Sequence, residues 1–488
     1  MMNRSLDINI LLDVKEDFIV KAKYVFDTYC EILGLKPHFF YGKISKDIDI
    51  YYGSDFKPIY PLCIYHNKDT SSFFQKRETY PEFEVRFNNY KNEKIPFLFS
   101  KPGKIFYATN NTGRIYKDII ASGFYFLSCW QEHIHSQNSD PAVRFNFKDS
   151  LQYQWDFADV PVVDAYCDIF GSILDITIIQ DQAGIKWQHK KDFCVTLSHD
   201  IDYWNFWDKD HLKKTNRYNR KRLKSNFTRS MYKLVAHNMT KHNSNPEKNM
   251  INIIRKESKL KVRSTNFLIV ADKSDDERRS YFAKDNYRNQ IKHVFTGYDV
   301  GLHGSPESAY ETEQAQDELD RLKTLFLEPA GYRSHKLSFE YYKTFDILVK
   351  MNIKYDSSLG YWEHIGFRAG ISFPFKPFNI EEDRSFKIIE IPLVVMETSM
   401  LSHLGMNMTA IQSYQRLKRL IKSCKKFNSH ISILWHNNTF DSVDYPLWGE
   451  LYWQIIKYAQ KENGWVCSLD ELYEFWIHKN ERQNNIKC

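Results

Sequence analysis

Five short polar clusters in the second half of the chain each follow directly on an apolar run. They read SHDID at 198–202, LHGS at 302–305, YRSH at 332–335, YDSS at 355–358 and LWHN at 434–437. Their carboxylates, imidazoles and guanidinium are groups that bind divalent metals and transfer protons. One such cluster alone is more typical of a turn or helix cap. Five in succession favour a hydrolytic metal site.

Asp200 and Asp202 alternate at the end of one predicted strand, so both side chains can face the same side. One carboxylate of such a pair can bind a divalent metal while the other takes a proton from the attacking water. The alternative interpretation is an Asx turn that closes the loop.

Four further residues in these clusters extend the predicted site. His303 is a candidate metal ligand, and His436 could donate a proton to a leaving group. Arg333 offers a charge that holds a carboxylate, and His335 offers another ligand. Each histidine alone is more often a structural, hydrogen-bonded residue.

Apolar runs alternate with amphipathic helical segments from residue 190 to about 480. This order predicts parallel strands with right-handed crossovers, in either a barrel or an open sheet. We favour the barrel, because polar residues recur where its strands end. Residues 1–187 mix short strands and helices, which predicts a smaller α/β or α+β domain. A basic, Asn-rich insertion is predicted at about 208–263.

The bulk properties exclude several classes of protein. The 488 residues carry 68 Lys+Arg against 61 Asp+Glu, a net charge of +7 that does not by itself indicate a nucleic-acid partner. The eight cysteines are scattered, as expected of reduced core thiols. The N-terminus lacks the pattern of a signal peptide, and charged or amide residues interrupt every apolar segment. We therefore expect a cytoplasmic protein.

The motifs of residues 190–475 resemble the polysaccharide deacetylases of the NodB-homology, carbohydrate esterase 4-like type, whose fold is an irregular (β/α) barrel. The resemblance rests on SHDID, GLHGS, GYRSHKLSF, YDSSLG, GFRAGISFPF and ILWHN. The first part of the chain also resembles the uncharacterised module that precedes this variant, through FYFLSCWQEH and VPVVDAY.

The resemblance implies a role for each matched residue. Asp200 would be the general base, oriented by Arg333, and Asp202 would bind the metal together with His303. Leu434 would line a pocket for the acetyl methyl group, and His436 would be the general acid. The implied cofactor is a divalent metal, with zinc first and cobalt, manganese or nickel as alternatives.

The chain departs from the family pattern at two positions. Glu307 stands where most members have a second histidine, so the predicted ligands are Asp202, His303, Glu307 and His335. The acidic residue that supports the catalytic histidine is either Asp356 or Glu397.

The substrate contacts and partners are predicted less directly. Arg368 and Trp435, beside Leu434, are the predicted substrate-binding residues. The basic cluster from Lys213 to Phe227 could contact an anionic membrane but matches no nucleic-acid motif, and a solvated helix face is its plainer interpretation. No oligomeric state is predicted.

The function that follows is removal of N-acetyl groups from a sugar or polysaccharide intermediate of surface glycan biosynthesis. This makes the protein a metal-dependent hydrolase of non-peptide C–N bonds with a carbohydrate substrate. Two alternatives stay open: an inactive carbohydrate-binding or scaffolding protein on the same barrel, and a metal-dependent hydrolase of another amide or an ester.

Overall fold

Two main sheets organise the chain in the computed structural model. It describes residues 7–42, 47–80, 85–138, 145–179, 184–205, 245–271 and 277–485. The basic cluster from Lys213 to Phe227 lies outside the described residues. Among the described residues, no helix is long and apolar enough to cross a membrane. The seven cysteines of the described part are buried free thiols.

The first sheet has six strands in the order β2-β1-β3-β4-β8-β7, all parallel except β7. A separate hairpin is formed by β5 and β6. The strands are β1 Asp7–Asp13, β2 Lys36–Tyr41, β3 Ile50–Gly53, β4 Leu62–Tyr65, β5 Arg86–Tyr90, β6 Glu93–Phe97, β7 Phe106–Thr109 and β8 Thr112–Ile115. The helices are α1 Glu16–Leu33, α2 Thr70–Gln75, α3 Ile119–Leu127, α4 Trp130–Asn138, α5 Leu151–Gln154 and α6 Val162–Leu174.

The longest helix of this part, α1, shows how the sequence specifies the packing. Phe18, Ala22 and Val25 recur at helical spacing and are fully buried. Gly34 ends the helix in the left-handed conformation (φ 72°), and its N–H bonds to the Cys30 carbonyl. The chain then enters β2, parallel to β1. The parallel sheet makes this part α/β, one of the two predicted classes.

The second sheet has nine strands in the order β16-β13-β12-β11-β10-β9-β18-β17, and β19 also pairs with β9. Every pair is parallel. The strands are β9 Phe193–Ile201, β10 Thr265–Leu268, β11 Asp299–Gly304, β12 Gly331–Ser334, β13 Tyr355–Asp356, β16 Ile389–Glu390, β17 Val395–Met396, β18 His430–Leu434 and β19 Gly464–Ser468. A small hairpin joins β14 Phe378–Asn379 and β15 Arg384–Ser385.

Eight helices accompany this second sheet. They are α7 Pro246–Leu260, α8 Asp285–Phe295, α9 Thr312–Lys323, α10 Tyr341–Lys350, α11 Glu397–Leu401, α12 Ala410–Lys426, α13 Trp448–Lys461 and α14 Leu469–Asn485. Helix α7 lies within the range predicted as an insertion. Its residues Met250 and Ile253 nevertheless pack in the core between the sheet and its helices.

The sheet is curled, because its two end strands are joined by only four residues of chain, 391–394. Ile391 N–H bonds to the Asp356 carbonyl, and Val394 N–H bonds to Ser432 Oγ on β18. The result is a parallel half-barrel. The mixed α/β, barrel-like class predicted from the sequence is confirmed at this level.

The central strand β9 is buried along its whole length, as strands of a covered parallel sheet are. Phe193, Val195 and Leu197 point to the helices on one face. The even-numbered residues between them point to the other, concave face of the sheet. Asp200 and Asp202 follow the same alternation and point to that face.

A single apolar core joins the two sheets. Phe124 of α3 packs edge-on against Phe378 with ring centroids 5.2 Å apart, and both belong to one buried cluster with Ile391. This core contains residues from both sides of the predicted domain boundary between residues 187 and 190, so it does not separate two domains there. The boundary therefore stays a prediction.

A buried ion pair also crosses between the two parts. Arg368 Nη2 lies 2.5 Å and Nε 2.8 Å from the two carboxylate oxygens of Glu132 in α4. Both side chains are about nine-tenths buried. Burial of a charge is unfavourable unless its partner is present, so each residue needs the other.

We expect Glu132→Ala to lower the free energy of unfolding by about 3–5 kcal/mol, because it leaves the buried Arg368 charge uncompensated. The matched control is Asp383→Ala, which removes the half-exposed partner of Lys21 and should cost less than about 1 kcal/mol. Urea unfolding followed by circular dichroism measures both. Equal losses in the two variants would contradict a special role for the buried pair.

Candidate metal centre and catalytic pocket

Three buried side chains form a candidate metal site at the carboxyl ends of three strands of the second sheet. Asp202 follows β9, His303 belongs to β11 and His335 follows β12. One ligand atom of each lies within 4.8 Å of the other two. His303 Nε2 is 3.3 Å from Asp202 Oδ1, and His335 Nε2 is 3.8 Å from Asp202 Oδ2. Three protein ligands that leave a position open are typical of catalytic zinc sites.

The two histidines are oriented by the backbone around them. His303 Nδ1 lies 2.9 Å from the Arg333 carbonyl, which can only accept, so Nδ1 carries the proton and the Nε2 lone pair is left for a metal. His335 is followed by two residues in the left-handed region, Lys336 (φ 59°) and Leu337 (φ 49°). This conformation is rare for such side chains and requires support from the surrounding structure.

Asp200 lies beside this group without belonging to it. Its Oδ2 is 3.6 Å from His303 Nε2, and its Oδ1 is 3.5 Å from Arg333 Nη1. The guanidinium is fully buried and donates to Ser198 Oγ at 3.3 Å and Ser357 Oγ at 3.1 Å. A fixed positive charge therefore stands next to a carboxylate that faces the metal site.

The electrostatics of Asp202 suit a ligand that is always ionised. Burial by itself would raise the pKa of its carboxyl. The adjacent imidazoles of His303 and His335, with the charges of His335 and His436, outweigh that effect and hold the pKa well below its usual value. The carboxylate is thus charged at neutral pH.

His436 and Glu397 form a second buried pair at the pocket. Glu397 Oε1 accepts hydrogen bonds from the backbone N–H and the Nδ1 of His436, both at 2.9 Å, and from Thr439 Oγ1 at 3.0 Å. Burial opposes protonation of His436, but the charge and hydrogen bond of Glu397, with Asp202 and Asp200, raise its pKa to about 10. The imidazole is therefore protonated at neutral pH.

These side chains surround an open cavity of about 470 Å³. Asp200, Asp202, His303, His335 and His436 form its polar base. The remaining lining residues are Leu337, Trp362, Met396, Asn146, Ser334, Lys336, Thr398 and Ser402.

The structure does not bring every predicted site residue to this cavity. Glu307 is exposed in the turn Glu307–Ala309 and is not a member of the three-residue group, where His335 stands instead. Leu434 packs behind the lining against Leu337 and Met396.

The two other predicted substrate contacts have different partners. Arg368 is paired with Glu132, and Trp435 packs against Trp448 and Tyr452, with ring centroids 6.1 and 5.6 Å away. Both are absent from the lining of the cavity among the described residues.

Of the two acidic candidates for support of His436, Glu397 is the one in contact. Asp356 instead accepts from Ser358 Oγ at 2.6 Å and hydrogen-bonds Glu390. The sequence analysis did not single out Met396, Thr398, Ser402 or Asn146, which also line the cavity. Asn146 had no sequence signal, because it comes from the N-terminal part of the chain.

The N-terminal part of the chain matches one protein family. The family described as "Family of unknown function (DUF7033)" matches residues 10–178, less than half of the chain. No curated protein matches.

Nine chains of solved structures match. A candidate polysaccharide deacetylase from Mycobacterium smegmatis is 15% identical over 60% of this chain and 93% of its own, with a TM-score of 0.39. A GH57 branching enzyme from Thermococcus kodakaraensis, in complex with glucose, is 9% identical over 58% of this chain and 71% of its own, with a TM-score of 0.31. At TM-scores this low the likeness identifies neither the fold type nor the function of this chain.

We expect the purified protein to hold about one divalent metal per chain and His335→Ala to lose it, because three ligands are the minimum of such sites. Glu307→Ala should keep the metal. Elemental mass spectrometry of metal-reconstituted, desalted protein measures the content. Retention in His335→Ala with loss in Glu307→Ala would instead support the ligand set that includes Glu307.

We expect Glu397→Gln to lower the pKa of His436 from about 10 toward the ordinary value near 6.5, because the negative charge is removed while the amide oxygen still accepts. The wild-type imidazole stays protonated until the pH rises to about 10, whereas the variant loses the proton earlier. NMR titration of the ring in metal-free protein measures this. His430, whose pKa burial lowers to about 4, is the internal control, and an unshifted His436 would contradict the pairing.

Proposed function

We propose that the chain is a metal-dependent hydrolase that removes an N-acetyl group from a sugar or polysaccharide intermediate. The observation that carries this proposal is the combination around one cavity: a three-ligand group, an Arg-paired carboxylate and a protonated histidine. A binding protein has no need of a carboxylate and an imidazolium beside a metal site.

The donor set fits a divalent metal. Two imidazoles and one ionised carboxylate suit zinc, and cobalt, manganese or nickel are accommodated by the same donors. A metal held by Asp202, His303 and His335 would act as a Lewis acid toward the acyl carbonyl and make water more acidic.

The remaining residues would supply the proton transfers. Asp200, oriented by Arg333, accepts a proton from the water that attacks the carbonyl carbon. His436, kept protonated by Glu397, donates its proton to the nitrogen as the C–N bond breaks. Acetate and a free amine are the products. Leu337 and Met396 give the cavity an apolar side against which an acetyl methyl group can pack.

The finer parts of the proposal rest on the sequence alone. These are the NodB type of the half-barrel, the assignment to surface glycan biosynthesis, the cytoplasmic location and membrane contact through the basic insertion. A different amide or an ester would use the same groups, so acetate release from several acylated substrates separates these substrate classes.

We expect Asp200→Asn to reduce acetate release from N-acetylated glucosamine oligomers by about 10²–10⁴-fold, because a general base is lost. Metal content should be kept, since Asp200 is outside the ligand group. Glu307→Gln is the matched control for loss of a nearby carboxylate and should retain the wild-type rate. A fully active, metal-loaded Asp200→Asn variant would contradict the proposed base.

A further inference from the structure

We propose that the N-terminal part of the chain is a wall of the substrate site, and that Asn146 binds the sugar there. This rests on the proposed function. It assigns a role to the segment that matches a family of unknown function. The ligand would be an uncharged sugar ring next to the acylated one.

Asn146 lines the same cavity as Asp200 and His436. It precedes the turn Phe147–Asp149, and its backbone N–H and Nδ2 both lie 3.3 Å from Asp149 Oδ2. These bonds fix the amide plane. The Asn146 side chain also accepts from the Asp149 backbone N–H in a capping box. An amide oxygen has two lone pairs and an amide nitrogen two hydrogens, so Oδ1 and Nδ2 can each make a further bond to a sugar hydroxyl or acetamido group.

The turn is locked onto the half-barrel beside the cavity. Phe147 N–H donates to Glu363 Oε1 at 2.5 Å. The Phe147 ring stacks on His364 with centroids 3.9 Å apart and planes 12° apart, and it packs against Tyr361 at 4.9 Å. Burial lowers the pKa of His364 to about 4, so the stacked ring is neutral.

The same contacts hold the aromatic residue of the lining. Trp362 lies within the segment 361–364 that Phe147 covers, and its carbonyl accepts from Ser399 Oγ at 2.8 Å. The Trp362 side chain is 37% exposed although it is large and apolar. An exposed indole beside an amide is suited to a sugar ring, whose C–H face stacks while its hydroxyls hydrogen-bond.

The wall is continuous with the body of the protein. Gln152 Nε2 donates to the Arg368 carbonyl at 2.8 Å. Asp164 Oδ1 accepts from Ser372 N–H at 3.0 Å, and its Oδ2 accepts from Ser429 Oγ at 2.6 Å. Contacts of this number and burial make the N-terminal part a fixed side of the cavity, and no domain closure is needed to form it.

The test measures binding and turnover of one probe, the β-1,4-linked trimer of N-acetylglucosamine, on the full chain. Asn146→Ala should weaken binding in calorimetry and raise KM about three- to tenfold, the value of one hydrogen bond, with a smaller change in kcat. Asn146→Ser, which keeps a good N-cap residue, should do the same without loss of thermal stability. Lys148→Ala, an exposed change in the same turn, should leave binding unchanged.

The outcomes separate this inference from the proposed function. Suppose that the wild type releases acetate and that both Asn146 variants bind and hydrolyse the trimer normally. This result overturns sugar binding by Asn146 and supports the proposed hydrolase activity. Suppose instead that the wild type binds the trimer but releases no acetate, and that the Asn146 variants lose binding. This result supports sugar binding by Asn146 and overturns the proposed hydrolase activity. A wild type that neither binds nor hydrolyses the trimer overturns both, and a Lys148→Ala effect equal to Asn146→Ala overturns direct contact.

Discussion

The buried guanidinium of Arg333 is the constraint on which the site depends. Its side chain faces Asp200 at 3.5 Å, and its carbonyl orients His303 at 2.9 Å. A fully buried cation must be compensated. Behind it lie Asp356 and Glu390, which hydrogen-bond each other, and burial raises the pKa of both so that the pair holds one proton. Arg333 thus contacts the Asp200 carboxylate, orients the candidate ligand His303 and offsets the charge of the buried acidic pair.

The pleat of β9 places the reactive side chains where that guanidinium can reach them. Ser198 and Asp200 point to the same face of β9, and both contact Arg333. His199, between them, points to the opposite face, where it contacts Glu257 and Tyr452 at 3.1 and 3.2 Å. A shift of register by one residue would exchange the two sets. The first polar cluster therefore contains both site residues and a structural histidine.

The sequence predicted the parallel strands and the polar residues at their ends, because both follow from local pattern. It predicted only in part which side chains meet: Asp202 does lie beside His303 and Asp200 beside Arg333, but other predicted site residues lie elsewhere. The turn after β11 leaves Glu307 exposed, whereas the left-handed residues after β12 accompany an inward His335. Arg368 looked like a substrate contact because its partner, Glu132, is distant in the chain. Contacts of this kind depend on the packing of the two sheets, which periodicity does not encode.

The same packing explains why an N-terminal residue reaches the cavity. The end strands β16 and β17 of the half-barrel are bridged only by residues 391–394, and the outer edge of β16 is paired at Glu390 with the backbone of Phe375. Tyr355 of β13 and Ile389 of β16 share one buried cluster with Phe124 of α3. The N-terminal helices therefore belong to the same apolar core as these strands. The segment that follows them contacts residues 361–364 beside the cavity through Phe147. The shared core and the contacts of Phe147 together hold Asn146 at the pocket.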